Sequence, residues 1–255
     1  MKIKDKKVIT CIIAILVLIV VVGVLVITNK GKREEWVTLE ENNNQVVDGS
    51  DYLSVISYLN LNSLPDNYYG YFYKNDRITV KNIDNKVKIY MAIRKVITDK
   101  KIDVSKSEMR INANDVEKAL KLLFGSDVEY KHESLTGNSC SYTNFKYSKS
   151  DRVYIQKNDK CVEPRNGSII NEVIDVTSEK DKLIVTEKVA YIETSYNLEA
   201  KQVIYNIYKD VNKTVNVATV NSYSIDSCKD LLNSYKYIFK KDKNNYYLES
   251  VELVK

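Results

Sequence analysis

One imidazole in 255 residues, His132, narrows the available chemistry at once. A serine hydrolase would need that ring as its base, yet no Gly-x-Ser-x-Gly elbow occurs, and no Ser-x-x-Lys pair offers a lysine base instead. In Glu129-Tyr-Lys-His-Glu133 the histidine reads as an exposed strand residue. Metal sites fare no better: there is no Cys-x-x-Cys and no His-Glu-x-x-His, and Asp48-Gly-Ser-Asp51 lacks the alternating acidic ladder of a calcium loop. The seven Gly are scattered, so no phosphate-cradling loop forms, and no cofactor is expected. Thirty-four acidic residues always contain some pair at a glycosidase distance, so their abundance assigns no catalytic residue.

Two constellations do carry information. Cys140, Cys161 and Cys228 are the cysteines of the long C-terminal region. If residues 140–161 form a hairpin centred on Ser150-Asp151, opposing positions sum to 301, and 140 + 161 = 301. Directly opposed residues meet the short separation that a disulfide requires, and closing this loop is worth about 3 kcal/mol in the chain-entropy model. The alternative is two unrelated buried thiols. Cys228 is left over, as a buried thiol or an intermolecular bridge. The second constellation is Asn67-Tyr-Tyr-Gly-Tyr-Phe-Tyr73, which places Tyr68, Tyr69, Tyr71, Phe72 and Tyr73 within six residues. Such rings stack on sugars or fill a partner's pocket, and the competing reading is strand-and-turn packing beside Pro65 and Gly70.

These residues need a frame, and the frame begins with an anchor. Val8 to Thr28 is 21 residues without a charge, about 31 Å of helix, which matches the hydrocarbon core of a bilayer. No small-x-small cleavage site follows, so the stretch reads as a retained transmembrane helix and not a signal peptide. Cys11 is then a membrane-buried apolar residue. Residues 1–7 form a short cytoplasmic tail, and residues 29–46 a polar juxtamembrane linker that contains Trp36. Charge agrees: residues 1–35 hold seven Lys and Arg against three acids, +4 of the chain's +5. The rest is close to neutral, which argues against nucleic acid as a partner.

Residues 47–255 are expected to form an extracytoplasmic α+β domain, with helices to about 125 packed on an antiparallel β-sheet. Tyr52, Val55, Ile56 and Leu59 recur at helical spacing, as do Val87, Ile89, Tyr90, Ile93, Val96 and Ile97. Asn114 to Phe124 carries the clearest stripe, with Asn114 as cap, Glu117 completing a capping box and Gly125 as the stop. After Gly125 the period shifts toward two. The expected strands are 128–135, 141–147, 153–156, 169–176, 183–194, 203–209, 215–220, 235–240 and 246–254, the last two joined by the charged turn Lys241 to Asn245.

In its order of features the chain resembles signal-anchored, extracytoplasmic proteins of unassigned function from AT-rich, Gram-positive-type bacteria. The likeness rests on the anchor, on Leu122-Leu-Phe-Gly125 followed by Val128-Glu-Tyr-Lys-His132, on the hairpin bounded by Cys140 and Cys161, and on Tyr237-Ile-Phe-Lys-Lys241 with Tyr246-Tyr-Leu-Glu-Ser-Val-Glu252. Val162 stands where those proteins often have Gly. The resemblance implies an anchor and a small α+β ectodomain, and it carries no catalytic residues. The expected protein is therefore non-enzymatic, held in the lipid by residues 8–28, N-terminus inside, binding an envelope polysaccharide or a surface protein outside. An accessory subunit of a membrane complex is the second expectation, and a divergent hydrolase the third.

Overall fold

Asp84 and Asn112 are short polar side chains that start two helices, Asp84 after a 3₁₀ turn (Val80–Asn82) and Asn112 at the end of a strand. The computed structural model describes residues 49–60, 64, 68–136, 144–157, 167–199 and 201–254. The expected tail, membrane helix and linker, and both Cys140 and Cys161, lie outside them. Among the described residues no helix is long and apolar enough to cross a membrane.

Helix α1 (Gly49–Asn60) buries Val55, Tyr58 and Leu59. Helix α2 (Asn85–Asp99) is capped by Asp84, whose carboxylate accepts from the Lys86 N–H at 2.8 Å, and it buries Val87, Ile89, Tyr90, Met91, Ile93 and Val96. Helix α3 (Ala113–Phe124) buries the expected stripe Val116, Ala119, Leu120, Leu123 and Phe124 and ends at Gly125. Its cap is Asn112, not Asn114: the Asn112 side chain accepts from the Asn114 N–H at 2.8 Å. Strand pairing continues through Asn112, so the extended residue that ends the strand is also the one placed to cap, and Glu117 is freed for other partners.

The main sheet has seven antiparallel strands and forks. Strand β6 (Lys182–Asn197) pairs along one edge with β5 (Gly167–Glu179). Along its other edge it pairs first with β9 (Asn233–Asp242), from Lys182 to Val189, and then with β7 (Gln202–Tyr208), from Tyr191 to Asn197. From β9 the sheet continues to β10 (Asn245–Val254) and the short β1 (Arg77–Thr79), and from β7 to β8 (Asn216–Val220). A second sheet contains β2 (Glu108–Asn112), β4 (Val153–Lys157) and β3 (Lys146–Ser148), in that order. All the described residues belong to one compact unit.

The β3–β4 register is Lys146↔Ile155, Tyr147↔Tyr154 and Ser148↔Val153, each pair summing to 301, as the hairpin centred on Ser150-Asp151 requires. Two further expectations are corrected. Residues 128–134 form no strand; only Leu135 bridges, to Phe145. Backbone pairing stops at Leu135 because Ser134 Oγ takes the Tyr147 N–H of β3 at 3.0 Å, and further back the Asn85 side chain holds the backbone, accepting from the Lys131 N–H at 2.9 Å and donating to the Lys131 carbonyl at 2.7 Å. The region before 125 is not all helical, because it contributes β1 and β2. Strand β2 is Glu-Met-Arg-Ile-Asn, whose clean exposed–buried alternation was legible but too short to displace the helical reading.

The core lies where α1–α3 cover one face of the β9 arm of the fork. Leu183, Val185 and Val189 of β6, Tyr235, Tyr237 and Phe239 of β9, and Leu248 and Val251 of β10 meet the helices there. A smaller cluster of Ala190, Ile192, Ile207, Ile225, Cys228 and Leu232 closes the opposite face of the β7 arm, under the 3₁₀ turn Asp226–Leu231.

Candidate functional site

Alternation along β6 changes character at the fork. Leu183, Val185 and Val189 are buried beneath the helices, whereas Tyr191, Glu193 and Ser195, on the same face, are only half-buried. Antiparallel pairing sets Tyr208 opposite Tyr191, Asn206 opposite Glu193 and Ile204 opposite Ser195, and it sets Thr219 opposite Asn206. The face is therefore built from phenols, amides, hydroxyls and one carboxylate, with Ile204 its aliphatic member.

Its polar groups form a ladder across three strands. The Asn206 amide donates to Ser195 Oγ at 3.2 Å, and Thr219 Oγ1 donates to Asn206 Oδ1 at 2.9 Å. Beside it, Glu193 accepts from Tyr208 OH at 3.4 Å and from Lys213 Nζ at 2.8 Å. That bond holds the Lys213 ammonium above its usual pKa. The same ammonium lies 5.1 Å over the Tyr191 ring. Lys213 is aimed by its loop: Asp210 accepts from the backbone N–H groups of Asn212 and Thr214, and Lys213 itself adopts φ 58°.

The aromatic cluster 68–73 reaches this face with one ring. Gly70 turns the chain with φ 67°, and the Tyr73 N–H donates to its carbonyl at 2.9 Å. Tyr69 then accepts a hydrogen bond from the Ile169 N–H on β5, and its ring meets Tyr191 edge-on at 6.2 Å and 77°. Tyr68 is half-buried, its phenol pushed up by burial, Asp84 and Glu133. Phe72 and Tyr73, expected with the others to be available for recognition, are buried: the Tyr73 hydroxyl bonds Tyr237 OH at 2.6 Å, and Tyr235 OH donates to the Tyr73 carbonyl. Tyr71 is engaged locally, donating to the Asn82 carbonyl and accepting from the Asp84 N–H. The turn that Gly70 makes divides the cluster, sending the later rings inward.

Tyr191, Glu193, Asn206, Tyr208 and Lys213 escaped the reading of the sequence. The available signal was a single strand whose inward positions become polar after Val189. Interpreting it requires knowing that the helices stop there.

His132 is not an exposed strand residue. Its side chain is 14% exposed, with Nε2 2.9 Å from Glu117 Oε1 and Nδ1 2.8 Å from Tyr154 OH, and its ring stacks on Tyr147 at 4.9 Å. Because a carboxylate only accepts, Nε2 carries the proton towards Glu117. Arg152 also donates to Glu117 Oε1, at 2.6 Å, and the His132 bond, then that of Arg152, holds the Glu117 carboxyl below its usual range. Tyr154 is 0% exposed and its phenol is raised well above the usual value by burial. A phenol with no access to solvent meets no substrate. The network braces α3, the 128–135 segment and the small sheet against one another.

Cys228 is buried, its Sγ 3.5 Å from the Ile225 carbonyl and its thiol raised by burial. Among the described residues no group of three or more His, Cys, Asp or Glu is arranged to hold a metal ion. No protein-family model, no curated protein and no solved structure matches this chain.

Proposed function

We propose that the chain is a single-pass, membrane-anchored domain outside the membrane that binds a cell-envelope polysaccharide without chemical conversion. One observation carries the reading: the half-buried polar face of β6–β7–β8, where an amide-and-hydroxyl ladder runs beside Tyr69, Tyr191 and Tyr208. A sugar polymer offers hydroxyls for Ser195, Asn206 and Thr219, and C–H faces for the rings. The 21 uncharged residues from Val8 to Thr28, flanked by most of the chain's excess positive charge, support the anchor.

The test is calorimetric titration of the full chain, in detergent, with purified wall polysaccharide. Tyr208→Ala and Asn206→Ala each weaken binding roughly tenfold, about 1.4 kcal/mol. Unchanged affinity in the double variant, with an unchanged circular dichroism spectrum, refutes the assignment to this face.

A second reading, an accessory subunit of a membrane complex, has its own observation. At the β6–β7 turn Leu198 is 80% exposed beside Tyr196 and Val203, which face each other at 56% and 43% exposure. Stoichiometric copurification of a membrane protein that Leu198→Asp abolishes would favour it.

A further inference from the structure

Glu187 lies in β6 opposite Tyr235 of β9 and Val173 of β5, just before β6 exchanges β9 for β7. Strand β5 bulges directly across from it, between Val173 and Asp175. The residue is 1% exposed. Its Oε1 accepts from the Asn171 amide at 2.9 Å, while Oε2 is buried with no hydrogen-bond partner among the described residues. An unpaired buried oxygen of this kind costs free energy, and an ionised one costs far more.

The groups around it are phenols. Tyr52 of α1 and Tyr237 of β9 are near enough for the carboxylate to add to the burial that holds them un-ionised, Tyr237 is bonded to Tyr73, and Tyr235 lies directly across. Among the described residues no cation offsets the charge: burial pushes the Glu187 carboxyl up to about 7, and the Asn171 bond opposes it only in part. A glutamine in the same place would be free of this conflict.

We propose that Glu187 is a proton-operated latch on helix α1: with the carboxyl protonated the helix closes over the fork of the sheet, and with it ionised the helix opens to admit water. The flanking strands β5 and β9 are held to β6 by backbone ladders. Helix α1 is held by side chains, through Val55, Tyr58 and Leu59 in the core and through Asp51, which accepts from Tyr246 OH at 3.0 Å. It is the element that can yield at least cost.

The sign follows from linkage. The closed state raises the carboxyl from 4.5 to about 7, so the closed form is fully favoured below about pH 4.5 and loses that advantage progressively as pH rises to 7. Between pH 5 and 8 the population of the open form rises by up to roughly seventyfold when opening fully hydrates the carboxylate.

Amide hydrogen exchange of the full chain in detergent, at pH 5 and pH 8 and corrected for intrinsic rates, tests this without reference to any ligand. Protection of residues 49–60 falls at least tenfold at pH 8, protection of 245–254 holds, and Glu187→Gln removes the pH dependence. The latch is overturned if residues 49–60 stay within twofold between the two pH values in the wild-type chain. It is equally overturned if Glu187→Gln keeps the fall, or if 245–254 loses protection in parallel.

Discussion

Gly70→Ala probes the turn that delivers Tyr69 to the sheet. Gly70 has φ 67°, and a Cβ there would lie 3.0 Å from both Cβ and Cγ1 of Val211 and 3.1 Å from Cγ2. Holding alanine in the left-handed region costs about 1 kcal/mol, and the overlap adds about 1–2 kcal/mol, the usual range for overpacking a well-filled site. The sum, about 2–3 kcal/mol, should lower the urea midpoint of the full chain in detergent by about 1 M, taking a slope near 2–3 kcal/mol/M. All three clashing atoms belong to Val211, so the overlap can be isolated. Val211→Gly removes them, and the double variant should be more stable than the sum of the single changes by at least about 1 kcal/mol. Polysaccharide affinity should follow the same pattern, lost in Gly70→Ala and largely restored in the double variant, because the 209–215 loop that aims Lys213 is the part displaced. Strict additivity of the two substitutions, or an unaltered midpoint for Gly70→Ala, would refute the packing argument.

Tyr154→Phe removes the hydroxyl that faces His132 Nδ1 and that also accepts from the Glu133 N–H, so it should cost about 1–3 kcal/mol in the same urea assay. In a His132→Phe background the loss should shrink, and equal losses in both backgrounds would mean that the brace is not coupled. Maleimide labelling of the chain in intact membranes should find Cys228 unreactive until the protein is denatured, because the thiol is buried and its pKa is raised. In the same experiment Cys140 and Cys161 should react only after reduction, and their ready labelling without reductant would remove the disulfide.

Local pattern was enough for much of the architecture. Helical stripes placed α2 and α3 to within a residue or two, and period-two alternation found β4–β10, because each of these elements satisfies most of its own periodicity before any neighbour arrives. The 301 register of the β3–β4 hairpin followed from the position of one polar turn. The failures have a common cause. Residues 128–134 have strand composition, but the side chains of Ser134 and Asn85 take the place of a backbone ladder, and Asn114 is a good cap displaced by Asn112 because β2 happens to end there.

The candidate face shows the division most clearly. The sequence determined that Tyr191, Glu193 and Ser195 share one side of a strand, and that Tyr69 sits beside a glycine able to turn left-handed. Only the tertiary structure decided that the helices cover β6 as far as Val189 and no further, and that β7 replaces β9 at that point. It also brought Tyr69 to Tyr191 across more than a hundred residues. Periodicity fixes which way a side chain points. Whether that direction leads to core or to solvent depends on which distant element packs there, and no local pattern encodes it.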